Sequence, residues 1–114
     1  MERALIIKKK WLDKIFHEGK TWEMRSRPTN INGKIGLIES GSGLIMGEAI
    51  LIGCSSIPMK ANLKYFDKHK IEDIELLKKW KYPWILSDVK RYENPIPYKH
   101  PRGAMIWVKL IKVK

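Results

Sequence analysis

The stretch EGKTWEMRSRP, Glu18 to Pro28, decides between two folds. Read as the end of a phosphate loop, its GKT would follow a strand and open a helix, as in nucleoside triphosphatases. Read as the continuation of a helix–turn, it is a strand of a sheet. A phosphate loop needs a glycine five residues before its second glycine, and Lys14 stands there. The preceding KKWLDKIFHEG places Trp11, Leu12, Ile15 and Phe16 on one helical face, with Gly19 where a left-handed cap ends a helix. A helix where the strand should be rules out the phosphate loop, and a strand is expected from about Thr21.

In an extended chain the period of two puts Thr21, Glu23 and Arg25 on one face and Trp22 and Met24 on the other. Arg27 extends the charged row. The apolar pair belongs in the core, and the charged row faces outward or into a cleft. A guanidinium fork matches phosphate or carboxylate, so Glu23 can hold one fork while another binds ligand, or can itself accept from a base edge. The same row also fits a cross-strand ion pair on a solvated face, which contributes little. The pattern alone leaves both open.

Working outward, Ala4–Lys8 reads as a first strand. GKIGLIES and GLIMGEAILIG read as a hairpin around SGSG, Ser40 to Gly43. That turn offers backbone N–H groups to a phosphate, but a hairpin accounts for it unaided. Gly47, inside the second strand, signals a bulge or the close approach of another segment. From Met59 to Trp80 the pattern is helical, burying Leu63, Phe66, Ile74 and Leu77, and Pro83 ends it. WILSDVKRY and GAMIWVKLIKV are β-like and flank ENPIPYKHPRG, whose prolines exclude a helix or a central strand. Strands open and close the chain. The expected class is α+β: one domain over residues 1–114, a small, strongly bent β-barrel flanked by short helices.

Lys20, Glu23 and Arg25 match the K-x-x-E-x-R core of the ASCH domain signature, G-x-K-x-x-E-x-R. The helix before it and the strand–turn–strand after it resemble that family as well, over nearly the whole chain. The family glycine stands two residues before the lysine, where this chain has Glu18, with Gly19 one residue later. The resemblance implies a PUA-like β-barrel with a cleft beside the motif suited to RNA or a nucleoside-sized ligand, since relatives bind RNA or read modified bases. Some small bacterial ASCH proteins resemble amidohydrolases that deacylate acetylated cytidine with a lysine, a threonine and a glutamate. Lys20 matches that lysine by position, Glu23 stands at the threonine's position, and Thr21 lies two residues away on the same expected face. Lys20, Glu23 and Thr21 are thus the catalytic candidates if the chain is a hydrolase, although a neighbouring Glu23 favours the charged ammonium.

Composition agrees with a polyanionic partner. Lys and Arg number 23 against 12 Asp and Glu, a net charge of +11 over 114 residues. RNA, a nucleoside or nucleotide, and DNA are the candidate ligands. Lys8, Lys9 and Lys10 either widen that electrostatic footprint or form a solvated run. A second group, Tyr98, His100 and Arg102, sits with Tyr92 in the proline-stiffened RYENPIPYKHPRG, either as secondary ligand contacts or as a packed connector. Trp22 and Trp107 alternate as core residues, and Trp84, beside Tyr82, is expected to be partly exposed and able to stack a base. His17, His69 and His100 form no metal spacing with Cys54, which is read as a buried structural thiol, so neither metal nor cofactor is expected. No two histidines are placed to share a cleft, which counts against a ribonuclease. With no long apolar stretch, a cytoplasmic protein without membrane attachment is expected, as a monomer or weak homodimer.

Overall fold

The computed structural model describes residues 1–110. In chain order the elements are β1 (Arg3–Ile7), α1 (Lys9–His17), β2 (Trp22–Arg25), β3 (Gly33–Glu39), β4 (Leu44–Cys54), α2 (Phe66–His69), α3 (Ile74–Lys79), β5 (Tyr82–Pro97) and β6 (Trp107–Lys109). The six strands form one sheet in the order β2-β5-β4-β3-β1-β6. Only the β1–β3 pair is parallel, because α1 and β2 intervene as a crossover. The end of the last β-like stretch, residues 111–113, lies outside the described residues.

Both faces of β1 are covered, which explains its unbroken apolar run. Leu5 and Ile7 join the main core with Leu12, Ile15, Leu37, Leu51 and Leu86. Ala4 and Ile6 join a smaller cluster with Ile38, Ile45 and Val108, against which Tyr92 and Tyr98 pack.

The sheet curls until its ends meet. Arg25 on β2 donates from Nη2 to the Ile6 carbonyl on β1 at 3.0 Å, although three strands separate them in the sheet. Trp84 on β5 stacks on Trp107 of β6 with ring centroids 5.7 Å apart. Interruptions in register between β4 and β5, and between Leu37 and Ile38 on β3, supply the extra twist. One falls at Gly47, where an added Cβ would collide with the Lys90 carbonyl oxygen and the Phe16 ring. The expected close approach is thus α1 and β5 pressed onto β4.

Closure stops short of the expected barrel. Among the described residues β2 and β6, the two ends of the order, do not pair, so the sheet is a half-barrel consistent with a PUA-like fold. With four residues in β2 and three in β6, neither offers enough ladder to close the seam.

Four local expectations need correction. β5 runs unbroken through Pro95 and Pro97 and is a central strand over its first residues. The prolines do lie outside its central part: β2 pairs with residues 82–85 and Thr21 accepts from Leu86, and around Pro95 and Pro97 β5 is paired with β4 alone and has a free edge. Between Met59 and Trp80 only two short helices form, with Lys70 in the left-handed region at φ 56° after the first. Leu63 lies in non-helical chain before α2 and the Lys70 turn separates α2 from α3, so no single helical face forms: Leu63 and Ile74 are 47% and 41% exposed while Ile71 and Leu77 are buried. Trp84 is buried rather than partly exposed, and Cys54 is half-buried rather than enclosed. No described helix is long and apolar enough to cross a membrane.

Candidate functional site

The site lies at the open seam, and the end of α1 builds it. Gly19, at φ 72°, turns the chain so that the Lys20 N–H returns to the Lys14 carbonyl and the Lys20 side chain points inward. Lys20 is 1% exposed. Its Nζ donates to the carbonyls of Trp22 and, at 2.7 Å, His69. It also sits 5.3 Å from the centroid of the Trp11 ring.

Strand β2 supplies the other two charges. Glu23, 5% exposed, accepts from Arg25 Nε at 3.1 Å and Nη2 at 2.8 Å, both at Oε2. Its second oxygen, Oε1, is 3.8 Å from Lys20 Nζ, an ion pair beyond hydrogen-bond reach. The Arg25 guanidinium lies 5.4 Å from the Trp84 ring centroid. Its Nη2 hydrogens serve Glu23 and Ile6, and no described acceptor engages Nη1. Of the row read from the period of two, Glu23 and Arg25 share a face, and it is turned into the seam.

Burial pushes the Lys20 ammonium down to about 8, with Glu23 pulling the other way and Arg25 adding to the fall. Burying an ion triad is a poor route to stability, because desolvation offsets the attraction. A cleft that holds one is a candidate site. The triad lines a pocket of about 190 Å³ whose other walls include Trp11, Trp80, Ile71, Met24 and Met105, with Lys8 and Ser40 also lining it. That is below the ~300–1,000 Å³ of sites that take whole drug-sized ligands. It suits a flat fragment with polar edges.

Of the residues singled out in the sequence, Lys20, Glu23 and Arg25 are brought together. Thr21 is half-buried; its N–H goes to Lys68 and its carbonyl accepts from Leu86, and it does not line the pocket. Arg27 is exposed outside the pocket, its carbonyl accepting from the Trp84 indole N–H at 2.9 Å. Tyr98 and His100 bond to each other at 2.8 Å, and His100 Nε2 reaches the Ala104 carbonyl at 2.9 Å, which makes this segment a self-tied connector. Arg102 is exposed. Among the described residues, none of this connector lines the pocket, which the chain reaches just after it, at Met105.

Sequence reasoning passed over three contributors. Trp11 and Trp80 read as ordinary apolar positions, yet they meet edge to face at 5.9 Å and wall the pocket. His69 is buried, and its carbonyl seats Lys20. Its Nδ1 accepts the Ile71 N–H at 2.9 Å, which puts the neutral ring's proton on Nε2, an atom with no hydrogen-bond partner among the described residues. Burial and then the Lys20 charge hold this imidazole below its usual range, so it stays neutral. No local pattern announces these contacts, because they depend on Trp80, just after α3, reaching Trp11 on α1, and on α2 packing against β2 so that His69 meets Lys20.

The chain matches the ASCH domain family model over residues 5–96 and belongs to the ASCH domain family. The domain is generally linked to RNA binding. Comparison with the curated proteins gives no match.

Proposed function

We propose that this ASCH domain binds single-stranded RNA by admitting one unstacked base into the seam pocket. The observation that carries the reading is the pairing of unengaged polar atoms with aromatic walls. Glu23 Oε1 is an acceptor with no hydrogen bond and Arg25 Nη1 a pair of unengaged donors, on two residues that line the same pocket as Trp11 and Trp80. A base presents a planar ring with donors and acceptors alternating along its edge, and splayed bases are read in this way, by stacking and edge hydrogen bonds. The ion triad keeps both groups oriented before the ligand arrives, and the net charge of +11 favours a polyanion. Free nucleosides, nucleotides and DNA share parts of this chemistry and serve as the comparison ligands.

Removing the Arg25 donors in Arg25→Ala is expected to weaken binding of single-stranded RNA by tenfold or more, since hydrogen bonds to charged groups contribute roughly 1.5–3 kcal/mol. Full affinity in a folded Arg25→Ala protein would contradict the proposal.

A second reading has one observation in its favour. With Lys20 at about 8, about a tenth of the molecules carry a neutral amine at pH 7, as a nucleophile or general base requires. That would suit deacylation of acetylated cytidine. The position of Thr21 outside the pocket weighs against it. Release of cytidine from acetylated cytidine, lost in Lys20→Ala, would establish this reading in place of simple binding.

A further inference from the structure

We infer that the pocket takes its base as part of a strand, with the flanking phosphates held by Lys10 and Lys79. This rests on the single-stranded RNA reading of the pocket and adds to it the groups that hold the strand's phosphates. The basic run at the start of α1 divides by role. Lys9 is neutralised by Asp13 at 2.7 Å, Lys8 lines the pocket, and Lys10 places its Nζ 4.8 Å from the Trp11 ring centroid. On α3, Lys78 pairs with Glu75 at 2.9 Å, whereas Lys79 places its Nζ 5.1 Å from the Trp80 ring centroid. Among the described residues, neither Lys10 nor Lys79 has a carboxylate within salt-bridge distance.

The two indoles beneath these ammonium groups are the ones that meet edge to face and wall the pocket. A cation over a ring is held in place without being neutralised. The joined indole wall of the pocket therefore carries two uncompensated, positioned positive charges. A base entering the pocket beside that wall brings its flanking phosphates past those charges. A nucleoside has no phosphate for them to engage.

The test compares the four ribonucleosides with the four homotrinucleotides, by calorimetric titration at several salt concentrations, on the wild type and on Lys10→Gln/Lys79→Gln. Both lysines are exposed, so the double variant is expected to fold. In the wild type the best trinucleotide should bind at least tenfold tighter than its nucleoside at low salt. The double variant should lose most of that ratio, and its plot of log affinity against log salt should flatten by about 1.4, two contacts at ~0.7 each for single strands. A ratio and slope that survive the substitutions overturn the assignment of Lys10 and Lys79 and leave the RNA reading standing, whereas a ratio near one in the wild type overturns the assignment and cuts the RNA reading back to a pocket for a free base or nucleoside. Absence of binding by every nucleoside and trinucleotide overturns both.

Discussion

Glu23→Ala should be the most destabilising substitution at the site, by about 3 kcal/mol at pH 6, because removing one partner of a buried ion pair leaves uncompensated charge behind. Two cations depend on this carboxylate. Arg25 gives it two hydrogen bonds and Lys20 faces its other oxygen. Without Glu23 the ammonium and guanidinium face each other across a site where Lys20 is 1% exposed. In urea the midpoint should fall by roughly 1–3 M, given slopes of about 1–3 kcal/mol per M for small domains. The loss should shrink by pH 9.5, where Lys20 is largely neutral in the folded wild type and needs its anion less. Glu23→Gln, which keeps the shape and one acceptor, should cost less. An unchanged midpoint in Glu23→Ala at pH 6 would mean that the triad is solvated and the pocket is not the enclosed site described above.

The second large effect is on the pH dependence of stability, and Lys20 sets its sign. The folded protein releases the Lys20 proton at about 8 and a free lysine does so at 10.5, so between those values the unfolded chain holds more protons. Stability therefore rises with pH across this window, and the ammonium's burial penalty, about 3 kcal/mol when fully present below pH 8, is relieved. Tyr92 acts in the opposite direction at higher pH: burial, followed by its hydrogen bond to Glu48, pushes its hydroxyl up to about 12, which favours the folded state less as pH climbs past 10. The clean quantity is the difference between wild type and Lys20→Met, measured by denaturant unfolding from pH 7 to 10. The rise should be present in the wild type and absent from the variant. An equal rise in both would place the titration elsewhere.

These effects show where the sequence was informative. The face shared by Glu23 and Arg25 follows from the period of two along β2, and the helix ahead of it from the spacing of Trp11, Leu12 and Ile15. The hairpin and the crowding at Gly47 were legible too, because turn residues and a glycine within a strand are local signals. The depth of Glu23 was not. Whether a charged row meets water or a cleft depends on what lies across the seam, and Ile6, Trp11 and Trp80 are brought there by the curl of the sheet and the contact of the Trp11 and Trp80 rings. The prolines of β5 misled for a related reason: a free edge exists only because β2 is short. Leu63 and Ile74 were misplaced because the chain around Leu63 is not helical and the left-handed Lys70 separates α2 from α3, where spacing alone treats the face as continuous.

The central claim is that the seam pocket, and not the basic surface alone, receives a base. The most direct measurement is an NMR titration with single-stranded RNA that follows the indole N–H signals of Trp11 and Trp80 and the side-chain signals of Lys20. The account predicts that these move together and saturate at one affinity, and that Arg25→Ala suppresses the movement. Binding in which the exposed lysines shift while Trp11, Trp80 and Lys20 stay fixed would contradict it.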